Sequence, residues 1–299
     1  DVSVSGSGSA AYLNDAASAT KLNVGQFVSF SLSTTTSSGM TISGGMGLSN
    51  TITTDALQGV SGGQTLSFAT GGATITVGDV EAGDTPGAVG GVVGGQIGDN
   101  GAFNSNVEDG FADDDGLGLS FSTALGGSTV AFTYVGNDNV NTLGELNSSA
   151  SGADAITSAS LTVPMGAYTI TAGVADSDSG ESSSGASVAA ALGGGTLTVG
   201  YSTQTLVDGT SDATSSDLSA SGDTTVMGAT YSLAMDADTT IKVGLQNKKD
   251  ADSDSTSQFD ASISRALGGG ASVFLDIRSL TRDATVKGSA VAVGTSVSF

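Results

Sequence analysis

The feature that most constrains the fold is an alternation of apolar and small polar residues with a period of two, which recurs in short segments along all 299 residues. This alternation predicts β-strands with one apolar and one polar face. We count sixteen such segments, an even number. They lie at about residues 1–12, 20–34, 39–50, 64–70, 73–79, 116–125, 128–136, 155–163, 166–175, 185–192, 195–205, 223–233, 238–247, 257–266, 270–280 and 286–299.

The connections between these segments alternate in length. Short connections at residues 71–72, 126–127, 164–166, 193–195, 236–238 and 268–270 alternate with long polar ones at 51–63, 80–115, 137–154, 176–184, 206–222 and 248–256. Short turns at one end and long loops at the other are typical of an up-and-down transmembrane barrel. The sequence therefore predicts an all-β fold, a sixteen-stranded antiparallel barrel that spans a membrane, with short periplasmic turns and long extracellular loops.

The two faces of single strands agree with a barrel in lipid. In the segment 128–136, Val130, Phe132 and Tyr134 share one face and would contact lipid. A closed barrel leaves no unpaired strand edge in hydrocarbon, and sixteen strands enclose an aqueous channel. The last segment ends at Phe299, which predicts a terminal strand that stops at an apolar boundary.

Composition excludes several classes of protein. The chain has 46 glycines, 2 prolines and no cysteine, tryptophan or histidine, so helices are disfavoured and histidine-based catalysis is impossible. No nucleophile and base have a spacing typical of a hydrolase, and we predict that the protein is not an enzyme. A formal net charge of -22 excludes nucleic acid as a partner. The start at Asp1, with no charged and apolar leader, predicts a mature chain from which a signal peptide has been removed.

Several short motifs resemble those of the general diffusion porins of Gram-negative bacteria, most closely the trimeric porins of α-proteobacteria such as Rhodobacter. The stretch RALGGGASVFLDI around residues 266–272, followed by VAVGTSVSF, is similar to the closing strands of that family with their terminal Phe. The strand ATITVGD at residues 73–79 resembles the family strand that precedes the third loop, and residues 80–115 stand in the place of that loop.

This resemblance implies the architecture and the function of the chain. We expect one domain over residues 1–299, with segment 80–115 folded into the pore as its constriction. We expect an outer-membrane porin for passive diffusion of ions and small hydrophilic solutes. It would form a homotrimer in a bilayer that contains lipopolysaccharide, and it would require no cofactor.

Acidic residues are concentrated in the segment that would constrict the pore and at its entry. They are Asp79, Glu81, Asp84, Asp99, Glu108, Asp109, Asp113, Asp114 and Asp115. Carboxylates at a narrow pore mouth favour cations, so we predict a cation-selective channel. Alternatively, the run at residues 113–115 only solvates the end of a loop.

Basic residues on the predicted channel face are Lys21, Lys242 and Arg278. They would form the cationic wall opposite the acidic segment, or pair with neighbouring carboxylates at the rim. The family usually places a cluster of arginines on this wall, whereas this chain has only Arg265, Arg278 and Arg282. A weaker transverse field is therefore expected.

Clustered carboxylates are also candidate ligands for calcium. Asp113, Asp114 and Asp115 supply hard oxygen donors, although no segment matches the EF-hand spacing. Solvated loop acids are the simpler interpretation. The acidic Gly/Ser/Asp composition leaves one alternative function, a calcium-binding β-rich surface or structural protein without a channel. That alternative requires a regular short repeat, and we find none.

Overall fold

The structure is a computed structural model that describes residues 1–15, 18–51, 65–81, 115–136, 155–178, 180–206, 222–249, 255–282 and 286–299. These residues form sixteen strands and no helix. Within this part of the chain, no helix is long and apolar enough to cross a membrane.

The sixteen strands follow one another along the chain without an intervening helix in the described residues. They are β1 (Val2–Asp15), β2 (Ser18–Thr35), β3 (Thr41–Thr51), β4 (Thr65–Thr70), β5 (Ala73–Glu81), β6 (Asp115–Leu125), β7 (Ser128–Val135), β8 (Ile156–Met165), β9 (Tyr168–Ser177), β10 (Ser182–Leu192), β11 (Gly195–Leu206), β12 (Gly222–Ala234), β13 (Thr239–Lys249), β14 (Ser255–Gly268), β15 (Ala271–Arg282) and β16 (Val286–Ser298).

Each strand pairs with its neighbours in the sequence, and β1 pairs with β16, so the sheet closes into a barrel. All pairs are antiparallel, as the hairpin pairing of β10 with β11 illustrates. The predicted number of strands and the up-and-down order are therefore confirmed. Closure removes every free edge, so all the strands can satisfy their backbone hydrogen bonds within the sheet.

Strand β15 shows which face of the sheet lies inside. Asp276 and Arg278 are buried, whereas Val273, Leu275 and Ile277 are exposed and alternate with them. Charged side chains at even positions thus face the lumen, and aliphatic side chains at odd positions face outward. The cross-strand registers carry this assignment around the barrel, since residues paired across neighbouring strands point to the same face.

Strand β7 follows the predicted pattern. Phe132 and Tyr134 are exposed on the outer face, and Thr133 and Val135 are buried on the inner face. The turn that precedes this strand has Gly126 and Gly127 at φ of 61° and 89°. Two consecutive positive φ values are what a two-residue hairpin turn requires, and glycine adopts them without steric cost.

The connection between β9 and β10 is shorter than predicted. Residues 176–184 were expected to form a long loop, but β9 continues to Ser177 and β10 begins at Ser182. The backbone of Ser177 donates a hydrogen bond to Glu181 O at 2.9 Å and closes a tight turn. The polar Asp and Ser residues here belong to strand ends, which polar composition alone does not distinguish from a loop.

Asp236 organises the turn between β12 and β13. Its Oδ1 atom accepts hydrogen bonds from Asp238 N and Thr239 N, each at 2.8 Å. Arg265, on the outer face of β14, lies 3.4 Å from its Oδ2 atom. The backbone hydrogen bond from Asp238, the hydroxyl of Thr239 and the charge of Arg265 lower the pKa of the Asp236 carboxyl.

Phe299 completes the closure between the first and last strands. Its backbone exchanges two hydrogen bonds with Gly6, at 2.8 and 2.9 Å. A Cβ atom added to Gly6 would lie 2.6 Å from the Phe299 ring, so the ring covers this glycine. The side chain is 80% exposed and shares the outer face with Val4.

Candidate functional site in the barrel lumen

Hydroxyl groups line much of the inner wall. Inward-facing pairs share hydrogen bonds across neighbouring strands, as do Ser5 and Ser29 at 2.6 Å and Ser67 and Thr76 at 2.9 Å. Small residues suit this face because a barrel of sixteen strands is too wide for side chains to fill. The hydroxyl groups of the inner wall can therefore form hydrogen bonds with water and with polar solutes.

Within the strands, the charged inner-wall side chains that the structure describes lie on β13, β14 and β15. They are Lys242, Lys248, Asp260, Asp276 and Arg278, which we call the inner charge cluster. They share a face because even positions point inward in all three strands and the registers pair even with even.

A buried ion pair forms the centre of the inner charge cluster. Arg278 Nε lies 3.0 Å from Asp260 Oδ1, and the two side chains are only 2% and 1% exposed. Gln258 Nε2 donates to the other carboxylate oxygen at 2.8 Å. Asp260 and Arg278 are direct partners in the β14–β15 register, so the pairing of the strands sets this contact. The positive charge of Arg278 is thus largely cancelled.

Lys242 differs from Arg278. It lies on the inner face at the end of β13 nearer the short turns, where it is exposed. Among the described residues no ion pair involves it. Lys242 therefore presents a positive charge to the lumen that no described carboxylate neutralises. The third predicted wall residue, Lys21, lies within β2, but its side chain is outside the described part.

Asp79 occupies a different position from the one predicted. It was expected in the pore constriction, but it shares the outer face of β5 with Ile75 and Val77 and pairs with Leu117. The reason is that β5 continues past residue 79 to Glu81, so the period of two still determines the side on which Asp79 lies.

The side chains of the other predicted acids lie outside the described part of the chain. Glu81 and Asp115 pair through their backbones at the end of β5 and β6, and their side chains are outside the described part. Asp84, Asp99, Glu108, Asp109, Asp113 and Asp114 also lie outside the described residues. Among the described residues, no group of three or more acidic side chains is arranged to hold a metal ion.

Sequence reasoning missed Asp260, Gln258 and Lys248 as inner residues. The signal was present for Asp260, because Phe259 and Ile263 on the same strand are apolar and leave residue 260 on the opposite face. What a single strand does not reveal is the partner. The contact with Arg278 follows from the register between two strands.

Comparison with protein families matches residues 1–285 to the model of the Gram-negative porin family. Comparison with the sequences of curated proteins gives no significant match.

Solved porin structures have the same fold. A porin refined at 1.8 Å resolution superposes with a TM-score of 0.70 at 16% identity and covers 100% of both chains. A mutant porin of Rhodopseudomonas blastica gives a TM-score of 0.69 at 14% identity, also over 100% of both chains. An anion-selective porin from Comamonas acidovorans gives 0.70 at 14% identity, over 100% of this chain and 99% of that one. At these identities the likeness establishes the fold alone.

Proposed function

Since the chain belongs to the Gram-negative porin family and is an outer-membrane porin channel, we propose that it admits ions and small hydrophilic solutes by passive diffusion and prefers cations. A porin described as anion-selective has the same fold, so the fold by itself does not support a cation preference. The sign has to be argued from the charges of this chain.

The observation that supports a cation preference is the distribution of charge. The inner charge cluster contains three basic and two acidic side chains, so it is close to neutral. The whole chain carries a formal net charge of -22. The negative excess therefore lies away from the described inner wall, and a negative potential around the channel mouths would concentrate cations there.

The acidic segment 80–115 is the proposed source of this potential near the constriction. We expect its carboxylates to face an inner wall that offers little net positive charge, since Arg278 is paired with Asp260. Asp79 is not part of this set, because it lies on the outer face of β5. We further propose that the protein acts as a homotrimer in a bilayer that contains lipopolysaccharide, and chemical cross-linking of detergent-purified protein tests the trimer.

The sign of selectivity is tested by the reversal potential of single channels in a planar bilayer under a KCl gradient. A potential of the sign that K⁺ permeation produces would support the proposal. Discrete conductance steps with an anion-type potential would keep the channel and overturn the cation preference. Folded protein that never conducts would contradict the channel function itself.

Salt dependence distinguishes charges around the channel mouths from carboxylates that line the constriction itself. We expect the ratio of K⁺ to Cl⁻ permeability to fall by about half or more when the mean KCl concentration rises from about 0.1 M to about 1 M, because the Debye length shrinks from about 10 Å to about 3 Å. The measurement is the reversal potential at a constant concentration ratio. A permeability ratio that does not change with salt would place the selecting charges within a few ångströms of the ion path.

Lys242 offers a direct test of the charge balance in the lumen. Replacing it with Glu changes the local charge by two units at an exposed inner position, and we expect the K⁺ to Cl⁻ permeability ratio to rise about threefold. Lys242→Gln should give an intermediate value. Arg265→Gln, which alters a cation on the outer face, is the matched control and should leave the ratio unchanged. Equal effects of Lys242→Glu and Arg265→Gln would show that Lys242 does not contact the ion path.

Calcium is a separate proposal. Asp113, Asp114 and Asp115 would supply the oxygen ligands, and calorimetric titration of protein treated with a chelator tests for binding. The alternative function, a calcium-binding surface protein without a channel, is not favoured by the family match.

A further inference from the structure

Phe27 is an aromatic side chain on the inner wall of the channel. In β2 it pairs with Ser7 on one side and Ser49 on the other. Its neighbour Ser29 shares a hydrogen bond with Ser5, and these two hydroxyls face inward. Phe27 therefore has the parity of luminal serines, opposite to Val28. It is 37% exposed.

The other aromatic side chains in the described residues face outward, with one exception. That exception, Phe274, is packed: its ring lies over Gly294, where an added Cβ atom would be 2.5 Å from Cζ, and it contacts the buried cluster of Ala290 and Ala292. Phe27 differs from Phe274 in this respect. None of the hydrophobic clusters found among the described residues includes it, and a Cβ atom added to Gly25 would meet Ser9 Oγ rather than the Phe27 ring.

The side chains that neighbour Phe27 on the inner face of β1 and β2 are serines. Ser5, Ser7, Ser9 and Ser29 lie on the same face of β1 and β2, and we call them the serine patch. No charged side chain is described on the inner face of these two strands. An exposed aromatic ring in water loses hydrophobic stabilisation, which a solute that covers the ring would restore. The side chains described in this patch therefore offer a solute hydroxyl groups and an aromatic ring rather than charged partners.

We propose that Phe27 and the serine patch form a solute subsite for a neutral carbohydrate. A pyranose ring has an apolar C–H face, which stacks on an aromatic ring, and a rim of hydroxyls that donate to and accept from serine. The subsite slows such a solute in the lumen and so makes Phe27 a residue that determines specificity. This inference rests on the proposed diffusion function and names one class of its solutes.

Current through single channels tests the subsite in the intact protein. Maltotriose added to the bath should produce transient interruptions of the KCl current. In Phe27→Leu, which keeps an apolar side chain and removes the ring, the dissociation constant from these interruptions should rise about tenfold. Phe27→Tyr keeps the ring and should bind like the natural protein. Sorbitol, an open-chain polyol without a ring face, is the matched control solute. Its effect on the KCl current should be nearly the same in the natural protein and in the variants.

Fluorescence provides a second measurement that does not depend on conduction. The chain has no tryptophan, so Phe27→Trp introduces a single reporter in the lumen of the detergent-purified barrel. Maltotriose should change its emission in a saturable way, with sorbitol much less effective. Phe132→Trp places the same reporter on the outer face, where neither solute should have an effect.

The outcomes separate the two proposals. If the protein conducts but maltotriose interrupts the natural protein and Phe27→Leu alike, the subsite is refuted and the channel stands. If the Phe27→Trp emission saturates with maltotriose in protein that does not conduct, the subsite stands as a binding site and the channel function fails. Absence of both interruptions and a saturable emission change overturns the inference.

Discussion

Replacing Asp260 with Asn is expected to destabilise the barrel by about 3–5 kcal/mol, the cost of leaving one charge of a buried ion pair without its partner. Asn keeps the size of the side chain and removes only the charge. Arg278 would then be buried without the carboxylate that it contacts, since the pair is only 2% and 1% exposed. The hydrogen bond from Gln258 to residue 260 does not supply the missing negative charge.

The free energy of unfolding, from reversible urea titration of protein folded into lipid vesicles, measures this cost. Ser262→Ala is the matched control, because Ser262 also faces inward on β14 and carries no charge. The double variant Asp260→Leu with Arg278→Met should recover most of the lost stability, since an apolar pair of similar volume often replaces a buried ion pair without loss. A single variant as stable as the control would show that Arg278 is not confined to a water-free environment.

The fold could be predicted from the sequence because strand alternation is a local property. The faces of β7 and the number of strands needed only the order of residues such as Phe132 and Thr133. Asp79 was misplaced because its position was judged from the loop that follows, whereas β5 extends two residues further. The pair of Asp260 and Arg278 was missed for another reason. Eighteen residues separate them, and only the register of β14 with β15 brings them together.

The same dependence on register makes Gly294 a sensitive position in the closing seam between β1 and β16. Gly294, in β16, pairs with Ala11 in β1 and with Phe274 in β15. A Cβ atom at residue 294 would lie 2.5 Å from Ala10 O and 2.5 Å from Phe274 Cζ. The aromatic ring can rotate away, but the carbonyl belongs to the strand that closes the barrel and cannot move without loss of pairing.

We therefore expect Gly294→Ala to destabilise the barrel by about 3 kcal/mol, at the upper end for overpacking by one methyl group. Gly8→Ala is the matched control in the same seam, because its added Cβ would lie 3.8 Å from Gly25 O, an ordinary contact. Its effect should stay within about 0.5 kcal/mol. Urea titration in lipid vesicles compares the two variants.

A third variant separates the two contacts that Gly294→Ala would make. The double variant Gly294→Ala with Phe274→Leu lacks the aromatic ring but keeps the close contact with the carbonyl of Ala10. It should therefore regain only part of the stability that Gly294→Ala loses. Full restoration would mean that the backbone of β1 yields to the new methyl group and that the ring alone enforces glycine. Equal stability of Gly294→Ala and Gly8→Ala would contradict the close approach of β1 and β16, and with it the register by which the barrel closes.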